Sequence, residues 1–83
     1  MKVNQILRQQ FLDTVENQLQ IGDPPETAQT LNRLKSEGFS DQEAKDLISA
    51  CVAAEIFSVL DSNLPFNRER YISWLSRLPE LPE

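Results

Sequence analysis

Histidine is absent from this chain, which removes both the commonest general base and the commonest neutral metal ligand. Ser/His/Asp and Cys/His catalysis are thereby excluded. Cysteine is almost as scarce. Cys51 is the only one, so no intrachain disulfide can form and no thiolate cluster can hold zinc. It sits inside an apolar run, where a thiol behaves as a small hydrophobe, and a reducing compartment fits this usage. Glycine occurs only twice, too few for a phosphate-cradling loop. A carboxylate di-metal site of the four-helix kind wants Glu-x-x-His on facing helices, and only isolated Glu16 and Glu55 could contribute. The chain is therefore expected to be neither an enzyme nor a holder of metal or cofactor.

No membrane anchor is expected either. The leading residues MKVNQILRQQ are polar at every second or third position and contain no continuous apolar stretch, so no signal peptide or anchor is expected. The longest apolar run falls short of the roughly 20 residues that span a bilayer. A cytoplasmic protein is the expectation. Thirteen acidic against eight basic side chains give a net charge of −5, which repels nucleic-acid phosphates and anionic lipid. Arg68, Arg70 and Arg77 lie near Tyr71 and Trp74, but Glu69 interrupts them and the aromatics are needed for a core. Neither nucleic acid nor a membrane is expected as a partner.

What the sequence does have is a hydrophobic content of 40% with 25% charged residues over 83 positions, the composition of a globular domain near the lower end of the size range. Stability at this length is thin, or completed by self-association. Every recognisable pattern is helical, and the prolines and glycines fall between the patterns. The expected fold is all-α: a small four-helix bundle with short loops over residues 1–78, followed by a loosely ordered Pro/Glu tail at 79–83.

The first helix is expected over about 3–20, with Val3, Leu7, Phe11, Val15 and Leu19 in steps of four, supplemented by Ile6 and Leu12. A four-residue step overshoots a turn by about 40°, so the stripe winds about 160° from end to end. The two halves of this helix must face different things. Either it crosses two neighbours obliquely, or Val3, Ile6 and Leu7 meet a second subunit. A second helix, about 24–37, opens at Asp23-Pro24-Pro25-Glu26, with Asp23 as cap and Ala28, Leu31 and Leu34 as its apolar face. Gly38 ends it. Ser40 and Glu43 form a capping box, flanked by Phe39 and Ala44 as a hydrophobic staple, and fix the third helix at 41–61. Helices two and three must form a hairpin. The fourth, 67–78, is capped by Asn67 and carries Tyr71, Ile72, Trp74, Leu75 and Leu78.

Helix three contains the run Leu47 to Leu60, broken only by Ser49, Glu55 and Ser58. On a helical wheel it has a bulky face (Ile48, Val52, Ile56, Val59, Leu60) and a small one (Ala50, Ala54, Ser58), and both are expected to be covered. The cover of the small face is either the bundle itself or a partner helix. Glu55 falls within the apolar arc, where a carboxylate must pair, hydrogen-bond or stay protonated. Arg33 and Arg70 are the candidate partners; the alternative is a ligand-binding or proton-transfer carboxylate.

The combination Gln18-Leu19, Asp23-Pro24-Pro25, Leu31 to Leu34, Glu37-Gly38-Phe39-Ser40, Glu43-Ala44, Glu55-Ile56-Phe57, Pro65-Phe66 and Arg70-Tyr71 resembles a bacterial helical family known only as a domain of unknown function. The resemblance covers roughly residues 16–78 and corresponds to the carboxy-terminal half of longer members. It implies a helical fold and no particular activity. Members often carry histidines and additional glutamates along the equivalent helices; this chain departs from them, with Arg8, Leu12, Asp46, Ala50 and Ala54 at the approximately matching positions.

The functional expectation is a protein-protein interaction module, a homodimer or a subunit of a larger assembly. Its candidate partner surface is Val3, Ile6, Leu7, Tyr71 and Trp74, together with the small face of helix three. The alternative is a small-ligand-binding or accessory enzyme domain that uses a semi-buried Glu55.

Overall fold

A computed structural model describes residues 2–82, with side chains from Leu7 to Pro82. Four α-helices follow in order: α1 Lys2–Ile21, α2 Pro25–Ser36, α3 Asp41–Ser62 and α4 Arg68–Arg77. The described residues contain no strand. The all-α four-helix bundle read from the sequence is the fold found.

The helix ends follow local chemistry. Ser40 Oγ accepts from the Glu43 amide at 3.0 Å while Glu43 Oε1 accepts from the Ser40 amide at 2.8 Å, the reciprocal capping box. Asn67 Oδ1 accepts from the Arg70 amide at 2.9 Å and starts α4. Asn63 closes α3 in the left-handed region, with φ 60°, a conformation asparagine tolerates better than most residues. Gly38, at φ 105°, does the same after α2.

The start of α2 differs from expectation. Pro24, not Asp23, is the N-cap, and no side chain caps the helix. Asp23 instead forms an ion pair with Arg68 at 2.9 Å, tying the α1–α2 turn to the start of α4. Glu26 does not return a bond to the cap: its Oε1 is buried without a partner.

α2 and α3 form the expected hairpin and each packs against both other helices, while α1 and α4 do not meet backbone to backbone. The core lies between them: Val15 from α1, Leu34 from α2, Ala44, Ile48, Cys51 and Val52 from α3, and Tyr71, Leu75 and Leu78 from the α4 region. Two layers of an amphipathic hairpin closed by flanking helices bury one stripe from each element. On α2 that stripe is Thr27, Thr30 and Leu34, rotated from the expected Ala28, Leu31 and Leu34 face; Ala28 and Leu31 are half-buried.

Polar groups complete the junctions. Gln18 Oε1 accepts from the hydroxyls of Thr27 at 2.7 Å and Tyr71 at 2.8 Å, joining α1, α2 and α4 at one atom. Arg33 donates to the carbonyls of Leu75 and Leu78, each at 3.0 Å, placing a cation on the carboxy-terminal end of α4 where the exposed carbonyls and the helix dipole favour one. Lys45 bridges Glu16 of α1 and Asp41 of its own helix. These bonds hold Lys45 above the usual lysine range, the Glu16 contact contributing most.

Candidate functional site

α3 is apolar on two opposite sides, and only one of them is in the core. At about 100° per residue, Ile48, Val52, Glu55 and Val59 lie within about 60° of one another, while Phe57 lies about 180° from Ile48, flanked by Ala50, Ala53 and Ala54. The first set faces the bundle; Ile48, Val52 and Glu55 are buried. The second set lines an open groove of about 860 Å³ that runs along the outside of α3 to Leu60 and Asp61, with Trp74 of α4 and Pro82 of the tail on its margin.

The expectation that both faces of α3 are covered is therefore corrected. Ala50, Ala53, Ala54 and Ser58 are only half-buried, and no helix among the described residues closes over them. Leu60, assigned to the bulky core face, is 73% exposed. It sits about 120° from Ile48 on the wheel, near the end of α3, beyond the reach of the core. Phe57 is 56% exposed, its ring edge-on to that of Phe11 with centroids 6.2 Å apart. That contact makes the leading half of α1 a neighbour of the groove.

The candidate surface residues separate. Trp74 lies at the groove, half-buried. Leu7 is 38% exposed, whereas Val15, two turns further along the same stripe, is wholly buried; the winding of the stripe takes its leading end away from the core. The side chains of Val3 and Ile6 lie outside the described residues. Tyr71 is corrected: it has no exposed surface and is a core residue whose hydroxyl is committed to Gln18. Burial pushes it up to about 12. The tail expected to be loosely ordered makes a turn, with the Glu80 amide on the Arg77 carbonyl at 2.9 Å, and brings Pro82 to the groove.

Among the described residues Glu55 is the one wholly buried carboxylate, and both its oxygens are engaged within the bundle. Oε1 accepts from Arg70 Nε at 2.8 Å, and Oε2 accepts from Arg70 Nη2 at 2.9 Å and from the Asn67 amide at 2.7 Å. The Arg70 guanidinium holds the carboxyl below the usual glutamate range, against desolvation, with help from the Asn67 amide. Of the two candidate partners, Arg70 is the one found; Arg33 serves α4 instead. Arg70 also lies 5.8 Å over the Trp74 ring, so the buried ion pair and the groove share a side chain.

Cys51 is buried within the core, and desolvation pushes its thiol up to about 12. It is a packing residue, not a nucleophile. Arg8 and Asp46 form an ion pair at 2.8 Å. Among the described residues no group of three or more His, Cys, Asp or Glu side chains could hold a metal ion, and no helix is long and apolar enough to cross a membrane.

Comparison with family models, with curated proteins and with solved structures gives no match to this chain.

The groove residues that sequence reasoning missed are Phe57, Ala53, Leu60 and Pro82. The wheel carries a signal for Phe57: it is a large aromatic diametrically opposite the core stripe, and among the described residues only the edge-on aromatic contact with Phe11 is available to it.

Proposed function

We propose that this chain is a protein-association module, in the bacterial cytoplasm, that receives a helix of another polypeptide in the groove outside α3. The observation that carries this reading is the exposure of Phe57 and Leu60 beside Ala50, Ala53 and Ala54 in one continuous channel. Large apolar side chains around a floor of small ones form the shape an amphipathic helix fills, with its bulky residues over the alanines. Contiguous apolar surface of this kind on a small acidic protein marks an interaction site.

The alternative, a ligand or accessory enzyme site built on Glu55, has less support. Glu55 lines none of the surface depressions described, and both its oxygens are engaged by Arg70 and Asn67. A ligand would have to displace a bidentate arginine from a dry carboxylate.

The test is capture from the native cell with the tagged chain and with Ala54→Glu, which places a charge on the groove floor. A discrete partner, itself included, retained by the wild type and lost from the variant supports the reading. Equal retention by both, or by neither, removes it. Circular dichroism of the variant checks that the helices persist.

A further inference from the structure

We infer that the occupant of the α3 groove is a second copy of this chain, the leading segment of α1 from each copy lying in the groove of the other. This rests on the reading of the groove as a helix-docking surface and adds the identity of the helix. Three observations select it.

The first is charge. Thirteen acids and eight bases are not spread evenly: residues 2–12 hold Lys2 and Arg8 and no acid, the first acid being Asp13. The rest of the chain is correspondingly more acidic. At the far end of the groove stands Asp61, exposed and in none of the ion pairs formed among the described residues. The last turn of α3 has no basic residue to offset either Asp61 or the helix dipole. A cation is wanted there, and residues 2–12 are a helical segment with an apolar stripe, two basic residues, of which Arg8 pairs with Asp46 of its own copy, and no acid.

The second is fit. At 1.5 Å per residue, Ala50 to Asp61 spans about 16 Å and residues 2–12 span about 15 Å. Laid antiparallel to α3, the segment brings the Lys2 end to Asp61 and the stripe positions of Val3, Ile6 and Leu7 along the alanine floor.

The third is position. The edge-on contact of Phe11 with Phe57 sets the leading half of α1 beside the groove of its own copy, and Leu7 is already turned outward. A two-fold axis beside that contact carries each segment onto the opposite groove. Such an isologous arrangement closes at two subunits and leaves no free groove to propagate.

Sedimentation of the full chain from micromolar to millimolar concentration, for wild type, Lys2→Glu, Asp61→Lys and the double variant, tests the proposal. Trp74 is the only tryptophan and lies at the groove, so its emission follows the same equilibrium as a second readout. The wild type should dimerise with a blue shift of that emission. Each single reversal should weaken the dimer by about tenfold, and the double variant should recover most of the loss because the pair is restored with its sign exchanged. A structural role for either residue alone would give no recovery. A double variant no better than the singles overturns the proposal. So does a wild-type monomer at every concentration; if that monomer still retains another protein in an Ala54-dependent way, the groove reading stands and only the identity of the occupant falls, whereas loss of both defeats both.

Discussion

Glu55 Oε1 lies 2.8 Å from Arg70 Nε, and the same carboxylate accepts from the Asn67 amide at 2.7 Å. A single buried acid from the middle of α3 thus holds both the first backbone group of α4 and an arginine one turn further along. The two ends of this bond are unequally placed: Glu55 has no exposed surface, while the Arg70 side chain keeps 34% of its own.

That inequality sets an order for two substitutions. Glu55→Gln removes the charge but keeps an acceptor for Asn67, and should lower stability by about 1–3 kcal/mol. Arg70→Gln leaves a carboxylate buried without its counter-charge and should be the more damaging of the two. Urea unfolding at neutral pH measures both; a smaller loss for Arg70→Gln would contradict the geometry.

Acid should erase the difference between wild type and Glu55→Gln. Arg70 holds the Glu55 carboxyl below its ordinary value of 4.5, so its contribution is complete above that value and is lost as pH falls through the lower, folded-state one. The urea midpoints of the two proteins should lie well apart at neutral pH and converge as pH falls below 4.5 through the lower, folded-state value. Midpoints that stay equally separated down to acid unfolding would show that the charge of Glu55 is not what stabilises α4.

Among the described residues, Gln18 supplies the only hydrogen bond between α1 and α4, helices that do not pack on one another. Tyr71→Phe removes one donor and should cost about 0.5–1.5 kcal/mol, whereas Gln18→Ala orphans both hydroxyls and should cost more, about 2–4 kcal/mol for two unsatisfied donors. Thermal unfolding of the two variants checks the order.

Cys51 should resist alkylation in the folded protein. Burial pushes the thiol up to about 12, so almost no thiolate exists at pH 8 and access requires opening of the core. Iodoacetamide should react at the rate of global unfolding, and fully in urea. Rapid labelling of the native chain would place Cys51 outside the core.

The sequence reading and the structure agree where a local signal is complete in itself. Ser40 with Glu43, Asn67 before α4, and Gly38 after α2 each carry their reason within four residues, and the corresponding helix boundaries are found as expected. Disagreement begins where a position depends on tertiary context. Asp23 reads as a cap by type, but Arg68, 45 residues away, takes it as an ion-pair partner. Tyr71 reads both as a core aromatic of helix four and as a candidate for its partner surface, and the Gln18 oxygen that accepts from its hydroxyl lets it be wholly buried. Leu60 belongs to an apolar run but falls past the end of the core. The outer face of α3 is legible as small residues, and the wheel sets Phe57 opposite the core stripe, but that Phe57 stays exposed is not legible, because a wheel gives directions and not the places of neighbouring helices.

The central claim is that the outer face of α3 is an interface between two copies of this chain, and the mass of the chain in solution tests it most directly. Light scattering of the wild type and of Ala54→Glu, at concentrations from micromolar to millimolar, should give about twice the 9.5 kDa chain mass for the wild type and the single-chain mass for the variant. Identical masses for the two proteins, whether both single or both double, would contradict it.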